Sequence, residues 1–282
     1  EPAVVCEAVA AADLVEVTVW NHPRLLDWLR QPWPAARVLM RSAVAGDTLP
    51  QILFPELVDY PDAWLLSAPP GYGSSLPAER HGRVRHIPSL ADMSRLDGWR
   101  PRPHTGCRVG YLGGLTATKL HPAFADIVAG VEARFELYGD CDPETRERLL
   151  ASLEQRRVAQ RVRLNGHVED LAEAYAEIDV FAYPLTPGSY ATSEKALQEA
   201  LWIGLPAVLI EGTAAVGWIQ PDVTGLIARD IDDFVDRLNG LLQDPVWRRS
   251  LGAAAAEQAR WQFDPARNAT HIHALVQELL GW

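Results

Sequence analysis

In the stretch "YATSEKALQEALWIGLPAVLIE", residues 190 to 211, Lys195 and Glu199 lie one helical turn apart, behind a run of small polar residues. Ser193 reads as an N-cap, with Thr192 a candidate one residue earlier. Ala196, Leu197, Ala200 and Leu201 recur at helical spacing and form a buried stripe. Gly204 ends the helix and Pro206 follows it. The pattern predicts a helix of about three turns. Its first turn would offer unpaired N–H groups and a partial positive charge, a place for an anion. A cation in that turn opposes the helix dipole by a few tenths of a kcal/mol or more. Lys195 therefore has two readings. In one it pairs on the surface with Glu199, in the weaker lysine-first order, while Glu194 tempers the dipole. In the other, Lys195 and the helix amides face a bound phosphate, and Glu199, a turn deeper, accepts hydrogen bonds from a ribose diol.

The second candidate is "GYLGGLTATKLHP", residues 110 to 122. A strand runs into Gly113 and Gly114, then a polar loop, then Lys119 before a helix opening at Pro122. Lys119 is either an ordinary helix-flank lysine or a cation that reaches the same diphosphate.

The elements that position these residues are regular from about residue 105. Apolar strands "CRVGYL", "RFELYG", "RVRLNG", "IDVFAYP" and "LPAVLIE" alternate with amphipathic helical segments. Such strands are buried on both faces, and alternating helices imply right-handed crossovers, so the expectation is a doubly wound parallel sheet. In open sheets of this kind ligands bind beyond the strands' carboxyl ends. Gly113-Gly114, Gly139 and Gly166 follow three successive strands and suit a backbone that a ligand approaches closely. After Gly225 three helical stretches are expected. The first hundred residues show the same alternation less clearly, with strands at "DLVEVTVW" and "ARVLMRSA" and a sheet of only three or four strands. A Pro- and Arg-rich connection, "RVRHIPSLADMSRLDGWRPRPH", places the domain boundary near residue 104.

Composition narrows the function. The chain has 282 residues, a length that fits two domains. Its net charge of −11 counts against a nucleic-acid partner, because phosphate backbones are held by surplus Lys and Arg. No apolar run reaches the ~18–20 residues of a transmembrane helix. The three cysteines, Cys6, Cys107 and Cys141, read as reduced thiols in a cytoplasmic protein, with no zinc-ligand spacing.

Together these residues resemble the retaining nucleotide-sugar glycosyltransferases of glycosyltransferase family 4. The likeness runs from about residue 13 to the end and is carried by "VGYLGGLTATK", "RFELYGDCDPE", "VRLNGHVEDLAEAYAEIDVFAYP", "SEKALQEALWIGLPAVL" and "VTGLIARDIDDFVDRLNGLLQDPVWRRSLG". The resemblance implies an α/β GT-B-like fold, two Rossmann-like doubly wound domains facing across a cleft, the first one incomplete. Residues 1–104 would form the acceptor-side domain, with its amino-terminal part missing. Residues 105–282 would bind the nucleotide sugar, and the last helix, about 266–282, would cross back to the first domain.

By the same resemblance Lys119 contacts the donor diphosphate, Glu199 holds the nucleotide ribose and the backbone at Val168 meets the base. Tyr190, Ala191, Thr192 and Ser193 cradle phosphate and donor sugar, beside Gly113, Gly114 and Gly139. Lys119, Lys195 and Glu199 would be the catalytic set. No metal or cofactor is implied; the leaving phosphate itself takes the acceptor's proton. The implied partners are a nucleoside diphosphate sugar and an acceptor that is a glycan, a lipid-linked molecule or a small molecule. A further protein would supply the missing amino-terminal segment. Three departures stand out. The family's arginine before the lysine loop is Gly114 here. The first glutamate of its paired motif falls on Ala191. The amino-terminal strand with its glycine-rich loop is not present. A subgroup carries Ser-x-Lys-x-x-Glu, to which "SEKALQE" is similar, so Lys195 would replace the lost arginine's charge. These departures support an alternative function, a catalytically inactive nucleotide-sugar-binding or partner-assembly subunit.

Overall fold

The structure, a computed structural model, describes residues 2–49, 51–71, 78–102, 107–189 and 192–281. The chain forms two compact units. The first comprises Glu1–Ser89, Tyr190–Ser193 and Phe263–Trp282, the second Leu90–Ser189 and Glu194–Gln262.

In the first unit, α1 (Pro2–Ala11) leads to β1 (Leu14–Val19), α2 (Pro23–Leu29) and β2 (Arg37–Ser42). A short antiparallel pair, β3 (Asp47–Thr48) and β4 (Gln51–Ile52), precedes α3 (Pro55–Asp59), β5 (Ala63–Leu66) and β6 (Val84–His86). Strand order is β1-β2-β5-β6, and every pairing is parallel. β6 lies within the Pro- and Arg-rich stretch expected to be a connection; its three residues are too few for a periodic signal. The connection's end near 104 falls outside the described residues, and the units divide earlier, at Ser89 and Leu90.

The second unit runs β7 (Arg108–Leu112), α4 (Phe124–Gly130), β8 (Arg134–Tyr138), α5 (Pro143–Gln155), β9 (Val162–Gly166), α6 (Leu171–Ala176) and β10 (Val180–Tyr183). It continues with α7 (Lys195–Trp202), β11 (Ala207–Ile210), β12 (Leu226–Ala228), α8 (Ile231–Gln243) and α9 (Pro245–Gln262). β12 stands where only helices were expected after Gly225; it too is a three-residue strand, paired to β11 by register. The sheet order is β12-β11-β10-β7-β8-β9, all parallel. Chain direction across the sheet reverses between β7 and β10, the switch point where such sheets bind ligands. β10 and β11 are buried at every position, as strands covered on both faces must be. Phe234, Leu238 and Leu241 on α8 help cover them. On another side, a Cβ at Gly252 of α9 would sit 2.1 Å from the Gly204 carbonyl oxygen, so only glycine lets α9 approach the end of α7 this closely.

The chain then rejoins the first unit through α10 (Pro265–Leu280). Leu275 of α10 joins Leu39, Ala63, Leu65 and Ile87 in one cluster, with Leu14, Ile272 and Leu279 packed against it. Arg85 meets Glu278 at 3.4 Å on the rim. No helix among the described residues is long and apolar enough to cross a membrane.

Candidate functional site

The carboxyl edge of the second sheet is stepped with glycines. The Gly113 N–H donates to the Tyr138 carbonyl at 2.9 Å, and the Gly139 N–H to the Gly166 carbonyl at 2.8 Å. Gly139 has φ of 142°, and a Cβ there would lie 1.9 Å from the Gly113 carbonyl oxygen. A side chain is excluded twice over, by conformation and by contact. At Gly114 the situation differs: the nearest heavy atom to a built Cβ is Thr116 Cγ2 at 3.8 Å. Glycine at this position is thus not a steric demand of the surroundings.

The loop after β7 is laced to the segment after β10 across the switch point. The His121 N–H donates to the Pro184 carbonyl at 2.9 Å, and the Thr186 N–H to the Lys119 carbonyl at 2.8 Å. This fixes the base of Lys119, whose Nζ then reaches Glu194 Oε2 at 3.1 Å. The Glu194 side chain is only 3% exposed, against 34% for Lys119. Tyr183, buried at the end of β10, donates its hydroxyl to the same Oε2. Its ring stacks on Phe181 at 5.1 Å and on Tyr111 at 5.5 Å, and the Tyr111 hydroxyl donates to the Gly114 carbonyl. Burial first, and the Glu194 carboxylate second, push the Tyr111 and Tyr183 hydroxyls well above their usual value, so both remain protonated donors.

Helix α7 begins differently from the sequence expectation. It spans Lys195–Trp202, two turns rather than three, and its N-cap is Glu194, which makes no side-chain capping bond. Ser193 and Thr192 do not cap it. The Thr192 hydroxyl donates to the Ala43 carbonyl at 2.8 Å, and the Ser193 hydroxyl to the Ser67 carbonyl at 2.6 Å, both within the first unit. Aspartate side chains cap α5 (Asp142), α6 (Asp170), α8 (Asp230) and α10 (Asp264), whereas α3 and α4, like α7, make no side-chain capping bond. With Glu194 turned toward Lys119, the N–H groups of Lys195 and Ala196 donate to no group among the described residues. Such a terminus retains its partial positive charge.

One turn on, Glu199 is buried at 6% exposure and accepts from the Tyr175 hydroxyl at 2.9 Å. The same hydroxyl is 2.9 Å from the Ala196 carbonyl. Burial raises the Glu199 pKa, while the Tyr175 bond, Arg95 and Lys195 pull it back. The surface pair of Lys195 with Glu199 is not formed: Lys195 is exposed and makes no ion pair among the described residues. The chain also departs from Ser-x-Lys-x-x-Glu at its last residue. The position in register with its glutamate is Gln198, and Glu199 comes one later. Gln198 is fully buried, its Oε1 accepting from the Ala91 N–H at 3.0 Å.

The structure thus brings Lys119 to the start of α7, with Gly113, Gly114 and Gly139 on the neighbouring strand ends and Lys195 and Glu199 on successive turns of the helix. Val168 lies half-buried in the turn between β9 and α6. Tyr190 and Ala191 lie outside the described residues. Glu194 is the residue sequence reasoning missed; its partners are distant in the chain, and its position beside a helix start suggested only a dipole effect.

Three comparisons bear on this arrangement. Residues 106–244 match the family model described as "Glycosyl transferases group 1". No curated protein matches the sequence. Among solved structures, the chain is similar to the Anabaena protein HepE in complex with UDP and glucose, with a TM-score of 0.77 at 14% identity, covering 98% of this chain and 81% of that one. It is similar to sucrose-phosphate synthase from Thermosynechococcus elongatus, with a TM-score of 0.80 at 19% identity over 99% of this chain and 76% of that one. A glycosyltransferase from Rickettsia africae aligns with a TM-score of 0.79 at 11% identity, over 99% of this chain and 80% of that one. The fold is therefore GT-B. Residues 106–244, which match the group 1 glycosyl transferase model, include the switch-point residues.

Proposed function

We propose that the protein transfers a glycosyl group from a nucleoside diphosphate sugar to an acceptor, with retention of anomeric configuration and without a metal ion. The observation that carries this reading is the switch point itself. There the Lys119 loop is tied to an α7 whose amino end is uncapped, one turn before a buried carboxylate. The matched family and the UDP held by the similar Anabaena HepE support it. The diphosphate would meet Lys119, Lys195 and the free amides of Lys195 and Ala196, and the ribose diol would donate to Glu199. The glycine steps at 113 and 139 would let the ligand close on the backbone, with the base near Val168.

The step breaks the bond between the anomeric carbon and the diphosphate oxygen and forms one to the acceptor oxygen on the same face. The acceptor's proton passes to the departing diphosphate, so no enzyme base is needed. Fixed donors aimed at the leaving oxygen are the main lever, each worth ~3–4 kcal/mol in comparable sites. We place the protein in the cytoplasm, where free Cys6, Cys107 and Cys141 stay reduced.

A second reading, a nucleotide-sugar-binding or partner-assembly subunit without activity, draws on one observation: Lys119 is already paired with Glu194, and Gly114 adds no charge. Release of nucleoside diphosphate from a panel of UDP-, GDP-, ADP- and TDP-sugars, with glycan and lipid-linked acceptors, separates the two. Turnover supports transfer. Saturable binding of a nucleotide sugar with no release under any condition supports the inactive subunit.

A further inference from the structure

We propose that Glu194 is a positioning residue for Lys119 that also weakens the hold of this site on anions, so that a nucleoside diphosphate can leave. The inference rests on the donor-site reading above and deepens it.

Glu194 Oε2 receives both Lys119 Nζ, at 3.1 Å, and the Tyr183 hydroxyl. Tyr183 is itself held in a stack between Phe181 and Tyr111. The carboxylate is therefore fixed from beneath and cannot swing away without leaving the buried Tyr183 hydroxyl unmatched. Lysine's ammonium has three N–H donors. One is committed to Glu194, which sets the position of the nitrogen; two remain on a side chain that is one-third exposed. An ordered ammonium loses less freedom when a ligand arrives.

The same contact has an electrostatic consequence of opposite sign. A diphosphate at Lys119 meets an ion pair, not a lone cation, and the nearby carboxylate repels it through a poorly screened interior. Glu194 Oε1 accepts no hydrogen bond among the described residues, so nothing else there offsets its charge. Glu194→Gln keeps the shape and an acceptor oxygen while removing the repulsion.

The test is titration calorimetry of the full chain with UDP, GDP, ADP, TDP and inorganic pyrophosphate. It compares the native protein, Glu194→Gln, Lys119→Ala and the double variant. Glu194→Gln is expected to bind pyrophosphate and the preferred nucleoside diphosphate roughly tenfold tighter than the native protein, from the size of charge-assisted contacts. The gain should persist in the Lys119→Ala background, where binding is weaker overall but the carboxylate still repels an arriving anion. If Glu194→Gln does not fold, Glu194→Ala, also uncharged, carries the same test. Equal or weaker binding after loss of the carboxylate overturns the inference, as does a gain that is lost when Lys119 is absent. If pyrophosphate shows the expected gain but no nucleoside diphosphate binds any form, the donor reading fails and the role of Glu194 stands. If no anion binds any form, both fail.

Discussion

Replacing Tyr175 by phenylalanine isolates one hydrogen bond beneath the site. The ring is fully buried, so phenylalanine fills nearly the same space and leaves no cavity to speak of. What is lost is the hydroxyl proton shared between Glu199 Oε2 and the Ala196 carbonyl, each at 2.9 Å. A bond to an ionised acceptor contributes ~1.5–3 kcal/mol, so the loss should be about 2 kcal/mol while Glu199 is charged. For a protein of this size that lowers the melting temperature by about 4–8 °C. The loss should depend on pH. Burial holds the folded-state pKa of Glu199 above the usual 4.5, and the Tyr175 bond is the largest of the influences that bring it down. A carboxyl with a raised folded pKa contributes stability that is present below 4.5 and is lost as pH rises through its folded value. Without Tyr175 that folded value rises further, so the loss grows across the window above 4.5. Below it, only a neutral bond of ~0.5–1.5 kcal/mol is missing. Urea unfolding of both proteins at pH 4.5 and pH 8 measures this directly. A penalty of the same size at both pH values, or none at pH 8, would refute the coupling of Tyr175 to an ionised Glu199.

Three further outcomes follow from the same geometry. Lys195→Ala should weaken nucleoside diphosphate binding by about tenfold and leave nucleoside binding unchanged, since charge-assisted bonds are worth ~1.5–3 kcal/mol. It should not lower the melting temperature, because Lys195 is exposed, makes no ion pair among the described residues and opposes the helix dipole. Glu199→Ala should weaken binding of a nucleoside diphosphate but not of its 2′,3′-dideoxy analogue; equal losses in calorimetry would make Glu199 structural. Gly139→Ala should destabilise by ~1–3 kcal/mol in thermal unfolding, because its Cβ would stand 1.9 Å from the Gly113 carbonyl oxygen.

The readable parts of this chain were those governed by local pattern. The strands at 108–112, 180–183 and 207–210 are nearly continuous apolar runs, and their alternation with helices is enough to indicate a parallel sheet. β9 (162–166), expected to be buried on both faces, is instead a part-exposed edge strand, as its Arg163 and Asn165 allow. Gly204 and Pro206 marked the end of α7 by backbone chemistry alone. Contacts between distant segments were not readable. Thr192 and Ser193 obey a local capping rule, yet carbonyls at Ala43 and Ser67, more than a hundred residues earlier, take their hydroxyls. Glu194 looked like a surface acid until the fold brought Lys119 to it from 75 residues away. Strands of three residues, β6 and β12, are defined by pairing with a neighbour and carry too few positions for any period to show.

The central claim is that the switch point of the second unit holds a nucleoside diphosphate. Heat denaturation with increasing UDP, GDP, ADP or TDP tests it most directly, because a ligand that binds only the folded protein stabilises it by about 2.7 kcal/mol at a hundred times its dissociation constant. One of the four should raise the midpoint in a saturable way, and the rise should be reduced in Lys195→Ala and Glu199→Ala. A midpoint unmoved by all four at millimolar concentration, or a rise that is unchanged in both variants, would contradict the account.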